Sequence, residues 1–244
     1  MKFNSIFKLN RYSPLHLFLT SVYNAFFSMV PHGLKYNVGL IFKKNRLPYS
    51  LVQPGNVIVQ IGAPRDTLAA GRTRAMYFSQ LVGVTGCVVV MEPDPENIAF
   101  WENHIVKHNI RNIRFVPKGA WDCEKTLEFL TDPSHPAANL VAEVCPKNFP
   151  LIENYRRICV PVTTLDAVVK SLGIDRIDLI SITTNGSEIK ILDGAKETIG
   201  KGVTYIAFAN TNKILRQLMV SSDYSIMGAD DRGFTFTLNL KISS

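Results

Sequence analysis

Acidic residues are missing from the first fifty positions of this chain, which hold Lys2, Lys8, Arg11, Lys35, Lys43, Lys44 and Arg46 and no Asp or Glu. The formal net charge of the whole sequence is +7, so residues 51–244 are formally neutral and the basic character belongs to the N-terminal segment. A nucleic-acid groove would put the excess of Lys and Arg on the main domain, so no nucleic-acid partner is expected. Cysteine is scarce and scattered: Cys87, Cys123, Cys145 and Cys159 include no Cys-x-x-Cys. That excludes a zinc framework and a disulfide scaffold and predicts small buried hydrophobes in a reducing cytosol. Long apolar runs are lacking too. The best candidate, between Pro14 and Pro31, is interrupted by polar residues and falls short of the roughly 20 apolar residues of a membrane span. No small-residue cleavage pattern follows it, which speaks against a secretory signal.

What is present reads as a globular chain. An apolar fraction of 46% and a charged fraction of 19% over 244 residues suit one sizeable α/β domain with an appendage. Leu15, Phe18, Leu19, Val22, Phe26, Met29 and Val30 recur at helical spacing and predict an amphipathic helix. Two uses stay open for residues 1–50: packing on the domain or on a second copy in a homo-oligomer, or peripheral contact with an anionic membrane, where each nearby cation contributes about 1 kcal/mol. The domain proper is expected over residues 51–244, in the cytoplasm.

Two apolar, β-branched runs organise that domain. Val57 to Ala63 and Val88 to Asp94 are too short for helices and end in turn residues, as buried parallel strands do. Gly62 permits a sharp turn after the first strand, so that the following helix can present its amino terminus to a ligand. Glu92 closes the second, where a carboxylate can accept hydrogen bonds from both hydroxyls of a ribose. An adenosine-containing cofactor is the expected ligand. The turn reads Gly62-Ala63-Pro64-Arg65-Asp66-Thr67 and lacks the Gly-x-Gly-x-x-Gly of dinucleotide sites, which weakens an NAD-dependent reading. Arg65, Arg72 and Arg74 follow, either as carboxylate binders or as the solvated side of a helix.

Asp94-Pro95-Glu96 carries an N-cap, an N1 proline and a first-turn acid, and so predicts a helix start. His104 and His108 on that helix have metal-ligand spacing, but there is no His-Glu-x-x-His pattern and no third ligand nearby in sequence. They are expected to be surface histidines, and no metal is predicted. Thr126 to Leu130 is read as a short strand, and residues 131–150, rich in proline, as an irregular substrate-facing cover with His135 as its imidazole. Thr163 is read as the cap of a helix through Leu165, Val168 and Leu172. Further strands at Ile177–Ile182 and Val203–Ala209, then the alternation of Phe234 to Leu238, complete the order of elements.

Val162-Thr163-Thr164-Leu165-Asp166, then Gly186, Glu188 and Ile191-Leu192-Asp193-Gly194-Ala195, resemble the signature of FkbM-family class I S-adenosylmethionine-dependent methyltransferases over about Asn56 to Asn210. The resemblance implies a Rossmann-like α/β fold: a seven-stranded, mostly parallel sheet with one antiparallel strand, here carrying an N-terminal helical extension. It implies S-adenosyl-L-methionine as cofactor, held by Gln60, Gly62, Ala63, Pro64, Glu92, Pro93 and Asp94, with Ala120, Trp121 and Asp122 at the adenine. It further implies methylation, chiefly O-methylation of a sugar, glycan or other hydroxylated small molecule, with Thr183, Asn185 or His135 orienting the acceptor. The family's Lys, first Asp and first Glu correspond to Ser181, Thr183 and Asn185. These neutral replacements disfavour a metal-assisted mechanism and motivate an alternative, a non-catalytic cofactor- or partner-binding relative localised by its basic N-terminal helix.

Overall fold

The computed structural model describes residues 29–146, 152–209 and 212–239, together with residues 18, 21, 22 and 26. Most of the helical stripe expected between Pro14 and Pro31 lies outside the described residues; Phe18, Val22, Phe26 and Met29 are helical and exposed. Helix α1, His32–Lys43, packs on the domain. Its Tyr36 is fully buried and donates a hydrogen bond to the Leu68 carbonyl at 2.9 Å, and Tyr49 beyond it is equally buried against Tyr77 and Phe78. A division at residue 50 therefore cuts through the core, because two aromatic side chains preceding it are built into the main domain. Among the described residues no helix is long and apolar enough to cross a membrane.

The main sheet has seven strands in the order β10-β11-β9-β8-β1-β2-β3. These are β1 Val57–Ile61, β2 Cys87–Met91, β3 Ile113–Val116, β8 Leu179–Ile182, β9 Tyr205–Phe208, β10 Tyr224–Ala229 and β11 Phe234–Leu238. β3, β2, β1, β8 and β9 run parallel, and β11 alone is antiparallel to both its neighbours. The alternation of side chains along a strand divides the core into two layers. Val59, Ile61, Val89, Met91, Ile180 and Ile182 face one cluster, while Ile58, Val88, Val90 and Leu179 face the other. Gln60 and Ser181 fall on this second face and pair in register at the carboxyl ends of β1 and β8. That parity sets two polar side chains under the crevice above the sheet.

A second sheet, not foreseen from the sequence, lies over that crevice in the order β4-β7-β5-β6. Its strands are β4 Gly119–Ala120, β5 Lys125–Thr131, β6 Leu140–Val141 and β7 Arg156–Thr163. β5 and β7 pair antiparallel from Lys125↔Val162 to Thr131↔Arg156. The stretch expected to be an irregular cover thus supplies an edge strand and short turns, with residues 147–151 outside the described ones. Cys123 and Cys159 are exposed and Cys87 and Cys145 half-buried, so none of the four cysteines is fully buried as expected. All four are free thiols.

The expected helix after the first turn is two helices, α2 Arg65–Ala69 and α3 Arg74–Val82, separated at Gly71, whose φ is +66°. A five-residue helix cannot supply the anion-binding amino terminus anticipated there. Helix α4, Pro95–Lys107, starts where the sequence indicates, with the Asp94 side chain accepting from Glu96 N at 2.8 Å. Helix α5, Leu165–Ser171, is capped by Thr164, one residue later than expected: its hydroxyl accepts from Ala167 N. Asp166 turns outward and accepts from the amides of Glu197 and Thr198. α6 Glu188–Asp193 and α7 Lys196–Gly200 are separate, and Ile189 is 40% exposed while Ile191 is buried. They break at Gly194, where a Cβ would sit 1.9 Å from the Trp121 carbonyl oxygen. Helix α8, Lys213–Ser221, leads into β10.

Candidate active site

β1 ends at Gly62, whose φ is +82° and whose position leaves no room for a Cβ: one would lie 2.8 Å from the Thr183 carbonyl oxygen. Glycine is required here both by its left-handed backbone and by the close approach of the β8 extension. The next amide, Ala63 N, donates to Glu92 Oε2 at 2.7 Å. Asp94 N and Asn97 Nδ2 both donate to Glu92 Oε1 at 3.1 Å. A carboxylate offers about four acceptor positions, and three are filled by this protein's own groups. One remains for a ligand, so Glu92 can accept from one ribose hydroxyl without rearrangement, not from both. Burial pushes the Glu92 carboxyl up to about 7, against the pull of these three donors.

Two crevices meet above the carboxyl ends of β1 and β8. The first, about 630 Å³ including its mouth, runs from Glu92, Pro93 and Asn97 under the second sheet, where Phe129, Leu140, Val141, Val160 and Val162 form an apolar roof. The second, about 990 Å³, is polar and is lined by Gln60, Thr73, Arg74, His135, Asp231 and Arg232 among others. Gly62, Pro64, Ala137, Thr183, Thr184 and Asn185 line both. The shared rim is thus the turn after β1, the loop after β8 and the tip of the 132–139 loop.

The floor of the polar crevice is a charge network. Arg74, fully buried, donates to Asp230 at 2.8 Å, to Asp231 at 2.6 Å and to Ser181 Oγ at 3.3 Å. Asp231 also accepts from Lys43 Nζ and the Tyr49 hydroxyl. Burial opposes ionisation of Asp231, but Arg74 and Lys43 outweigh it and hold the carboxyl well below the usual carboxylate range. Above them, Gln60 Nε2 donates to Thr183 Oγ1 at 2.8 Å and to the Gly62 carbonyl at 2.9 Å, which leaves its buried Oε1 with no partner among the described residues. The Thr183 hydroxyl donates in turn to the Gly62 carbonyl at 2.9 Å. Asn185 Nδ2 donates to the Ala137 and Asn139 carbonyls, clipping the 132–139 loop over the rim.

The sequence-expected residues divide among four places. Gly62, Pro64, Glu92, Pro93 and Ala120 line the apolar crevice, and Thr183 and Asn185 stand on the shared rim. His135 and Gln60 line the polar crevice only, since Gln60 shares the Ile58 face of β1. Ala63 is buried, its carbonyl accepting from Trp101 Nε1 at 2.7 Å, and Asp94 serves as helix cap and as acceptor for Asn139 Nδ2. Trp121 and Asp122 are not at the crevice. Ala120 lines it, whereas Trp121 is fully buried in the core of the second sheet with Leu127, Phe129 and Val160; Asp122 pairs with Lys190 at 2.7 Å. Of the three arginines, Arg65 pairs with Glu96 and Arg74 with Asp230 and Asp231. Asn97 and the apolar roof escaped sequence reasoning: an asparagine inside a helix carries no signal, and alternating apolar residues look the same in a core and over a ligand.

A family model described as the methyltransferase FkbM domain matches residues 60–225. No curated protein matches the chain. Among solved structures, the chain is similar to the methyltransferase FkbM of Methylobacillus flagellatus, with 16% identity, TM-score 0.48 and coverage of 91% of this chain and 60% of that one. It is also similar to Aeropyrum pernix fibrillarin, a structure with natively bound S-adenosyl-L-methionine, with 11% identity, TM-score 0.45 and coverage of 82% and 72%. A protein-L-isoaspartate O-methyltransferase matches over 27% of this chain and 19% of its own, with 23% identity and TM-score 0.23. The chain therefore spans a fifth to about three quarters of the length of these structures.

Proposed function

The chain belongs to the FkbM methyltransferase domain family, and from that premise we propose that it uses S-adenosyl-L-methionine to O-methylate a sugar, glycan or other hydroxylated small molecule. The observation that carries this reading is the pair of abutting crevices, one apolar with a carboxylate at its end, the other polar, sharing a rim at Gly62, Thr183 and Asn185. We place the cofactor in the first. Glu92 keeps one acceptor position for a ribose hydroxyl, and the roof of Phe129, Leu140 and Val160 suits the flat face of a purine. The second crevice, with its unpartnered Gln60 Oε1, suits a hydroxylated acceptor.

Bound there, the cofactor supplies an activated methyl group on a sulfonium. This chain's contribution is alignment, which can supply about 7–11 kcal/mol of a barrier when reacting atoms are held near attack distance. Thr183 and Gln60 fix each other and the Gly62 carbonyl, so the rim is held rigid from both strands. Gln60 Oε1 accepts a hydrogen bond from a neighbouring hydroxyl of the acceptor, leaving the reacting hydroxyl's proton free for a base. The hydroxyl proton must leave as its oxygen is alkylated. Asp231 is engaged by Arg74, Lys43 and Tyr49 and the Thr183 hydroxyl by its carbonyl, which leaves His135 to take it. A base of this kind contributes about 10²–10⁴-fold.

The test is calorimetric titration with S-adenosyl-L-methionine, followed by release of S-adenosylhomocysteine in the presence of a panel of sugars and glycans. Saturable binding at one site, with turnover on a hydroxylated acceptor that falls at least 10²-fold in His135→Asn while cofactor affinity holds, supports the reading. Absence of binding overturns it, and binding with turnover only on amine acceptors overturns the choice of oxygen.

A further inference from the structure

We propose that His32, His104 and His108 form a binding site for a divalent transition-metal ion such as Zn²⁺, clasping the start of α1 to the C-terminal end of α4. His104, in the last turn of α4, and His108, its C-cap, are four residues apart and share one side of the helix end. The ligand that sequence reasoning could not supply comes from the first turn of α1, directly after Pro31. One nitrogen from each of the three rings lies within 4.8 Å of the other two. The His32 and His108 rings stack at 4.2 Å between centroids, and His104 stands 4.7 Å from His32 and 4.5 Å from His108. All three are half-buried rather than exposed on the surface as the sequence suggests.

Among the described residues His32 Nδ1 and His104 Nε2 are buried without a hydrogen-bond partner, an arrangement a metal would satisfy and apolar packing does not. A tetrahedral ion with nitrogen ligands at about 2.0–2.1 Å holds those nitrogens roughly 3.3 Å apart, so the rings need to close by up to about 1.5 Å, within the reach of side-chain rotation. Burial, reinforced by the neighbouring cations, lowers His104 to about 3 and His32 to about 4; the rings are neutral at pH 7, the form that ligates. Neutral nitrogen donors without a carboxylate select late first-row ions over Mg²⁺ or Ca²⁺. Lys35 and Lys107 lie near enough to oppose a dication, and Lys35 is held back by donating to the Ala69 carbonyl at 2.7 Å.

The role is structural. The groove holding the cluster, lined by Met29, Leu68 and Phe100 among others, shares no residue with either crevice of the active site. His104 and His108 lie ten and fourteen residues beyond the Asp94 cap, roughly 15–21 Å along the helix. An ion here fixes the N-terminal segment to the domain and leaves its fourth position to water.

The experiment is titration of the full-length, tag-free protein with Zn²⁺ against a chromogenic chelator, and with Co²⁺ monitored by its visible absorption, in parallel with thermal melts. One equivalent should bind with a tetrahedral Co²⁺ spectrum and raise Tm. His104→Ala and His32→Gln should each weaken binding at least tenfold and abolish the rise in Tm. Circular dichroism of the metal-free variants guards against misfolding, and His108→Gln serves as a second removal on α4. Unchanged affinity in a folded His32→Gln variant would reduce the site to an ordinary histidine pair on one helix and overturn the proposal, as would the absence of stoichiometric binding.

Discussion

Glu92→Gln separates the charge of this side chain from its shape. In the free protein burial places the carboxyl at about 7, against an ordinary value of 4.5. Between those pH values the folded chain holds a proton that the unfolded chain has released, so the contribution of Glu92 to stability falls as pH rises from 4.5 to 7, by roughly 3 kcal/mol. Ligand binding has the opposite slope. A ribose hydroxyl donates to the ionised carboxylate, which is about 3% populated at pH 5.5 and about 90% at pH 8, so affinity should rise about 30-fold over that range. The probe is 5′-methylthioadenosine, which keeps the ribose and lacks the titrating amino acid, measured by calorimetry. In the Gln variant the slope should vanish; affinity should be roughly 10- to 100-fold weaker than wild type at pH 8, the loss of one charge-assisted hydrogen bond, and should converge with it at pH 5.5. The variant should also lose the wild type's decline in stability between pH 4.5 and 7, while giving up the Ala63 hydrogen bond at about 1–3 kcal/mol. A wild-type affinity that is flat from pH 5.5 to 8 would refute the assignment of Glu92 to the ribose.

Other perturbations test the frame around the site. Gly194→Ala should destabilise the fold by about 1–3 kcal/mol or more in chemical denaturation, because its Cβ would meet the Trp121 backbone; a neutral result would show that the α6–α7 break is free to move. Asp231→Asn leaves Arg74 buried with Asp230 as its one carboxylate partner and should cost about 3–5 kcal/mol at pH 7. In the wild type, the stability that Asp231 confers is present above its unfolded pKa of about 3.9 and lost as pH falls through the lower folded value, so an acid melt that is the same in both proteins would contradict the network. On α1, Leu34, Val38, Ile41 and Phe42 form an exposed apolar stripe beside Lys44 and Arg46, supporting the proposal of peripheral contact with an anionic bilayer. The chain should float with phosphatidylserine vesicles and Leu34→Ser/Ile41→Ser/Phe42→Ser should not; equal flotation, or a variant that merely changes from dimer to monomer by light scattering, would assign the stripe elsewhere.

The sequence by itself determined the parallel core and its turn. Short β-branched runs can be satisfied only as strands buried on both faces, Gly62 marks a backbone that admits no side chain, and Asp94-Pro95-Glu96 states its own capping geometry. The Gly194-Ala195 and Asp166 positions, whose spacing carries the family resemblance, are scaffold, one packed on the Trp121 carbonyl and the other capping α7. Tertiary structure decided everything that depends on which face a side chain takes and on which distant segment meets it. β4 is two residues long, too short to announce its parity, so Trp121 could not be assigned to the core or the ligand until the second sheet was in place. The number of acceptor positions left on Glu92 depends on Ala63 and Asn97, whose amide groups reach it only through the fold. His32 is 72 residues from His104 in sequence, and only the packing of α1 across α4 turns a surface pair of histidines into a three-nitrogen cluster. Local spacing encodes local geometry; contacts between distant segments are set by the burial of whole faces, which no short motif records.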